Sequence, residues 1–87
     1  MQIKLFTRKS CSKCPPAKEI CVRLKEKGLN VLFLDVDTLE GREEGARQGV
    51  RALPTTILVD EQGSEMMSWR GEAPDRNLLE TLVGNVK

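Results

Sequence analysis

Histidine is absent from this 87-residue chain, cysteine occurs three times, and there are three aromatic side chains, Phe6, Phe33 and Trp69. Each shortage excludes something. Without histidine, three cysteines complete a four-ligand zinc site only if a carboxylate joins them, so no resident metal is expected. Three scattered aromatics do not make a base-stacking platform for single-stranded nucleic acid. Fourteen Lys and Arg against thirteen Asp and Glu leave a formal charge of +1. No strong field of either sign therefore points to nucleic acid or a membrane surface. No segment approaches the roughly 18 apolar residues that span a bilayer. An odd cysteine count fits a reducing compartment better than a secreted disulfide framework. The start, Met1–Phe6, runs into strand-like sequence with neither an apolar leader nor a small-residue cleavage site. A cytoplasmic location is the expectation.

Apolar residues make up 39% and charged residues 31%, the balance of a soluble globular protein. A length of 87 residues makes one domain over 1–87, with no room for a second. The stretch that organises it is Arg8-Lys9-Ser10-Cys11-Ser12-Lys13-Cys14-Pro15-Pro16. Two cysteines three apart stand where an apolar run stops and a helical pattern starts. Thiols at i and i+3 in a first helical turn lie on one face, within bridging reach. A helix N-terminus stabilises a thiolate. Cys11 and Cys14 therefore read as a reversible dithiol with one activated sulfur, the redox meaning of C-x-x-C near a β-α-β pattern.

Residues 2–6 read as a short strand. A helix follows over about 12–27, with Cys14, Ala17, Cys21, Leu24 and Gly28 on one face. Pro15 and Pro16 fit only its first turn, and Gly28 fits its C-terminal cap. Cys14 heads the apolar stripe and is expected to be partly buried, with Cys11 exposed before it. Cys21, two turns on, reads as a small buried core residue. Residues 30–36 form an apolar run with little alternation, which reads as a buried strand. The β-α-β unit so formed implies a parallel pair with a right-handed crossover. Asp37-Thr38 caps a weaker helix over about 39–48, where Gly41, Gly45 and Gly49 lower the propensity. Pro54 enters a clear strand, Thr55–Val59. The turn 61–64 leads to a returning strand over 65–70. A last helix, about 74–86, carries Leu78, Leu79, Leu82, Val83 and Val86 on one face, with Pro74 at its first position.

This order, with Cys11-Ser12-Lys13-Cys14 after the first strand and Leu53-Pro54-Thr55 before the third, resembles the thioredoxin and glutaredoxin superfamily over nearly the whole chain. The resemblance implies an α/β thioredoxin fold in its minimal β-α-β-α-β-β-α form: a mixed four-stranded sheet flanked by three helices. It implies a cis bond before Pro54, packed against the dithiol, and a Leu53 backbone that hydrogen-bonds an extended substrate. The resemblance implies that Gly71 lines the substrate groove; Thr55 and Trp69 are further candidates for it, with a plain strand former and a packing residue as their alternative readings. There are departures. Thioredoxins usually place tryptophan before the first cysteine and Gly-Pro between the two; here stand Ser10 and Ser12-Lys13. The buried acid of thioredoxin's central strand falls at Leu5. The Pro-Tyr dipeptide and the Gly-Gly pair usual in glutaredoxins are missing.

The activity implied is thiol–disulfide exchange. Cys11 attacks a substrate disulfide, and Cys14 resolves the mixed disulfide. Implied partners are disulfide-containing proteins and an electron donor, either a thioredoxin-reductase-type enzyme or glutathione. A monomer without cofactor, nucleic acid or membrane partner is expected. The alternatives are a glutathione-linked glutaredoxin, a non-catalytic binding module of the same fold, and a carrier of a metal or a cluster shared between two chains. Arg8, Lys9 and Lys13 lie near enough in sequence to favour the Cys11 thiolate. The apparent pKa of Cys11 is expected below the free value of about 8.5. The rate of alkylation against pH measures it, and a value at or above the free one refutes an activated thiol.

Overall fold

Strand β1 (Gln2–Thr7) turns Ile3 and Leu5 to one face and Phe6 to the other, and all three are fully buried. A strand apolar on both faces needs a covering layer on each side, and the rest of the chain supplies them. In a computed structural model that describes residues 1–84, β1 is followed by α1 (Cys14–Glu26), β2 (Val31–Asp35), α2 (Leu39–Arg47), β3 (Thr55–Val59), β4 (Glu65–Arg70) and α3 (Arg76–Gly84). The sheet order is β2-β1-β3-β4. β2 runs parallel to β1, and β3 and β4 are antiparallel to their neighbours. This is the mixed four-stranded sheet with three helices that the resemblance implied. Ile3, Leu5 and Leu58 pack with Ala17, Cys21 and Leu24 of α1 and Leu79 of α3 on one face. Phe6, Leu34, Ile57 and Val59 form the core of the other face, with α2 laid over them.

Several local details differ from the sequence expectation. β2 is an edge strand, and Leu32, Phe33 and Asp35 are half-buried. Its apolar run reflects helices on both faces, not a central place in the sheet. The glycines that weaken α2 as a helix are what let it pack. A Cβ on Gly41 would collide with the backbone carbonyl of Asp35, and one on Gly45 would meet the Phe6 ring at 3.8 Å. Close approach substitutes for an apolar stripe. Thr38 caps α2, its Oγ1 accepting the Gly41 N–H at 3.0 Å. α1 begins at Cys14, not residue 12, and closes on Lys27, with Gly28 next at φ +95°. α3 begins at Arg76, because Asp75 Oδ1 accepts the Leu78 N–H at 3.0 Å and so takes the cap. Pro74 is therefore a buried residue before the helix and not its first position. Val86, expected on the inner face of α3, lies outside the described residues.

One charged pair spans the layers. Lys4 of β1 faces α2, and its Nζ lies 2.6 Å from Glu44 Oε2, with both side chains about 85% covered (13% and 15% exposed). Arg47 and Gln48 also donate to Glu44. These hydrogen bonds, Lys4 first, hold the Glu44 carboxyl down at about 2, against an ordinary 4.5. A depressed folded-state pKa stabilises above the unfolded value and loses that stability as pH falls through the folded one. Urea unfolding should therefore show a loss between about pH 4.5 and pH 2, of which Glu44 supplies roughly 2–3 kcal/mol. Glu44→Gln should flatten that part of the profile; an unchanged slope would mean the pair is not coupled to folding. Thr56 Oγ1 is buried without a hydrogen-bond partner among the described residues. Thr56→Val should therefore raise the unfolding free energy, by about 1 kcal/mol. Destabilisation by the valine would mean that the hydroxyl is satisfied in solution.

Candidate active site

β1 ends at Thr7, and six residues carry the chain up to the first turn of α1. A tight turn forms on the way. The Cys11 N–H donates to the Arg8 carbonyl at 3.1 Å, and the Cys14 N–H donates to the Cys11 carbonyl at 3.4 Å. This folding brings the two Cα atoms to 5.4 Å, and Cys11 and Cys14 are joined as a disulfide. That separation is ordinary for a bridge. The partners are not equivalent. Cys14 is the first helical residue and is 4% exposed, because it heads the stripe of Ala17, Cys21 and Leu24 that faces the sheet. Cys11 precedes the helix and stays half-exposed. A reagent or a substrate meets Cys11 first.

The helix start is short of donors. Pro15 and Pro16 carry no N–H, and that of Cys14 is already given to the Cys11 carbonyl. Of the four backbone N–H groups that usually stay free at a helix N-terminus, only that of Lys13 remains. The cations nearest to Cys11 along the chain are Arg8, Lys9 and Lys13. Arg8 and Lys9 line the same groove as both cysteines. Lys13 stands at the N-cap and makes no capping hydrogen bond. Arg8 is shared, its Nε donating to Asp37 Oδ1 at 3.0 Å. Cys21 stays outside this chemistry. It is fully buried, and desolvation pushes its thiol up to about 12, so it remains protonated at neutral pH.

The second half of the site comes from the other end of the chain. The Leu53–Pro54 peptide bond is cis, as the resemblance implied. Pro54 is buried, and its carbonyl accepts the Gly71 N–H at 2.8 Å. Thr55 is fully buried and donates its hydroxyl to the Ala52 carbonyl at 2.6 Å. Arg70 braces the corner by donating to the Gln48 and Gly49 carbonyls. Pro54, Thr55 and Gly71 are thus brought together at the sheet end where β1 delivers the dithiol. Thr55 pairs with Phe6 in the register. Leu53 makes no backbone–backbone hydrogen bond among the described residues, so its peptide groups are available to an outside chain. Trp69 stands at the same end of β4, half-buried against the core under α1 and α3. It lines neither of the two clefts at this end.

Two features escaped the sequence reading. A groove of about 770 Å³ runs from the cysteines along α1 and the edge of β2. A second cleft, about 390 Å³, lies against Leu53 and gathers Arg8, Arg42 and Arg51 with Asp37. The two remote arginines gave no signal, because nothing in a linear sequence ties them to Arg8. Among the described residues, no three His, Cys, Asp or Glu side chains converge to hold a metal ion.

No family model matches the chain. A probable thioredoxin of Archaeoglobus fulgidus is 34% identical over 61 residues, 69% of this chain and 67% of that protein. A prophage-derived thioredoxin-like protein of Bacillus subtilis is 34% identical over 74 residues, 85% of this chain and 88% of that protein. Among solved structures, a thioredoxin variant from Halobacterium salinarum superposes with a TM-score of 0.76 at 25% identity, covering 94% of this chain and 70% of that one. With a disulfide at C-x-x-C spacing on the same mixed sheet, the chain belongs to the thioredoxin family.

Proposed function

We propose that this protein is a small protein-disulfide reductase, working as a monomer in the cytoplasm. The observation that carries the reading is the unequal exposure of a bridged pair: Cys11 half-exposed, Cys14 buried behind it. That asymmetry supports one order of steps. In the reduced protein the Cys11 thiolate attacks one sulfur of a substrate disulfide. A bond forms between Cys11 and that sulfur, and the other substrate sulfur leaves as a thiolate. The Cys14 thiol then loses its proton and attacks Cys11 Sγ. The Cys11–Cys14 bond forms as the mixed disulfide breaks, and the second substrate thiol is released. Two electrons pass from the dithiol to the substrate. The free peptide groups of Leu53 hold the incoming chain extended across Cys11, beside Pro54 and Gly71. An electron donor returns the protein to the dithiol.

Donor choice has a structural handle. The cleft at Leu53 gathers three guanidiniums, one of them paired with Asp37. Guanidinium forks suit carboxylates, and this favours a small anionic thiol such as glutathione as an alternative to a protein reductase.

Insulin reduction driven by dithiothreitol tests the main reading. The native protein should accelerate it, and Cys11→Ser should abolish the effect. Cys14→Ser should accumulate a mixed disulfide with substrate, visible by mass spectrometry. If native protein gave no acceleration and Cys14→Ser trapped nothing, the binding-module reading would replace this one. Parallel assays with glutathione plus glutathione reductase, and with a thioredoxin reductase, identify the donor.

A further inference from the structure

The groove beside the dithiol has a use that disulfide exchange by itself does not explain. It is open at the cysteines and continues well past them. One wall is a single face of α1, where Lys18, Val22 and Glu26 recur four apart. From Pro15 to Glu26 that wall is roughly 16 Å long at 1.5 Å per helical residue. About five residues of extended chain cover that distance.

The opposite wall is the outer edge of β2 at Phe33, Leu34 and Asp35, where the Asp35 carbonyl already accepts the Thr38 N–H and hydroxyl. The Ile3 N–H donates to the Asn30 carbonyl, and the Val36 N–H donates to the Thr7 carbonyl. Even-numbered residues of this strand thus turn their peptide groups to β1. By alternation, the N–H groups of Val31, Phe33 and Asp35 point away from the sheet. An open edge is a template for another strand. Pairing along an edge is also a recurring way to hold a peptide.

The side chains give the groove a polarity. Lys9 and Lys18 stand toward the dithiol end and form no ion pair among the described residues. Asp35 is also at that end, its Oδ1 accepting the Asp37 N–H at 2.8 Å, and its carboxylate offsets one of the two lysines, leaving the end net cationic. Midway, Val22 is 39% exposed and faces the half-buried Phe33, whose ring carries the Lys25 ammonium 5.4 Å from its centroid. Arg23 and Glu19 cancel each other at 3.3 Å. Glu26 closes the far end as an unpaired carboxylate among the described residues. From the cysteines outward the order is cationic, apolar, anionic.

We propose that this groove docks the substrate protein itself. Its occupant is an extended segment next to the target cysteine that reads acidic, then apolar, then basic, and adds as a strand to the edge of β2. The proposal rests on the disulfide-reductase reading and names the substrate class for that site. Charge order supplies the specificity: a carboxylate near the cysteine meets Lys9 and Lys18, an apolar side chain covers Val22, and a distal cation meets Glu26. The reversed order meets like charge at both ends.

Two synthetic peptides of one composition test this, each bearing a mixed disulfide on a terminal cysteine. In one the cysteine is followed by glutamates, valines and lysines in that order; in the other the charged blocks are exchanged. Hydroxyethyl disulfide serves as a neutral small substrate. Two exposed ion pairs gained against two like-charge contacts should favour the first peptide by about tenfold in kcat/KM, a preference that fades at high salt. The double variant Lys18→Glu, Glu26→Lys should invert the preference. Each ratio compares two substrates on one protein, so any change in thiolate reactivity cancels. Hydrogen exchange on the mixed disulfide trapped in Cys14→Ser should show new protection at the Val31, Phe33 and Asp35 amides. Equal rates for the two peptides, or protection confined to residues 53–55, would overturn the groove and leave the reductase reading standing. Failure to reduce even hydroxyethyl disulfide would overturn the reductase reading.

Discussion

The structure depends on the need to cover β1 on both faces. Leu5 and Phe6 are adjacent, point to opposite sides and are both fully buried. Neither can be satisfied by one layer. α1 and α3 must lie on one face and α2 on the other, and the strand ends where those layers end. The dithiol sits at that end because the chain has to leave the central strand and start the first covering helix at once. Cys14 is buried because it is the top residue of that covering stripe. Cys11 is exposed because it comes before the helix. The functional asymmetry of the two sulfurs therefore follows from the demand that packs the core.

The cis-proline corner reaches the same place by a longer route. β3 runs antiparallel to β1, so its entry lies beside the exit of β1. The residue before that entry, Leu53, arrives at the dithiol without being near it in sequence. Gly71 is fixed there by its bond to the Pro54 carbonyl, and Arg70 ties β4 to the loop after α2. The site is thus assembled from three chain segments at one end of a sheet. This arrangement leaves Cys11 half-exposed, with peptide groups of Leu53 that make no backbone–backbone bond among the described residues on one side and the edge strand β2 on the other.

The dithiol lacks much of the usual help at a helix start. Two prolines remove N–H groups that would otherwise face a thiolate. Leu5 takes the place where a thioredoxin central strand carries an acid. What remains nearby is cationic: Arg8, Lys9 and Lys13. Exposed cations are screened by salt more than a buried group or a helix terminus is.

Much was legible in the sequence. The element order, the dithiol at the strand–helix junction, the buried Cys21 and the proline before β3 all rest on patterns local in the chain: a 3.6-residue stripe, proline in a first turn, cysteines at i and i+3. The alternation that marks strands is equally local. What the sequence did not determine were relations between residues far apart. β2 reads as a buried strand because its residues are apolar on both faces, and only the strand order shows that it lies at the edge of the sheet. The glycines of α2 looked like a weakness, and only the approach of the helix to the Asp35 carbonyl explains them. Pro74 was expected at the first position of α3, and the helix instead starts two residues later, behind the Asp75 cap. The 2.6 Å pair of Lys4 with Glu44, forty residues apart, and the meeting of Arg8 with Arg42 and Arg51 belong to the same class. Local covalent and periodic constraints determined the elements and the reactive pair. Packing of the layers, which couples distant residues, decided the edges, the grooves and the charges that face a partner.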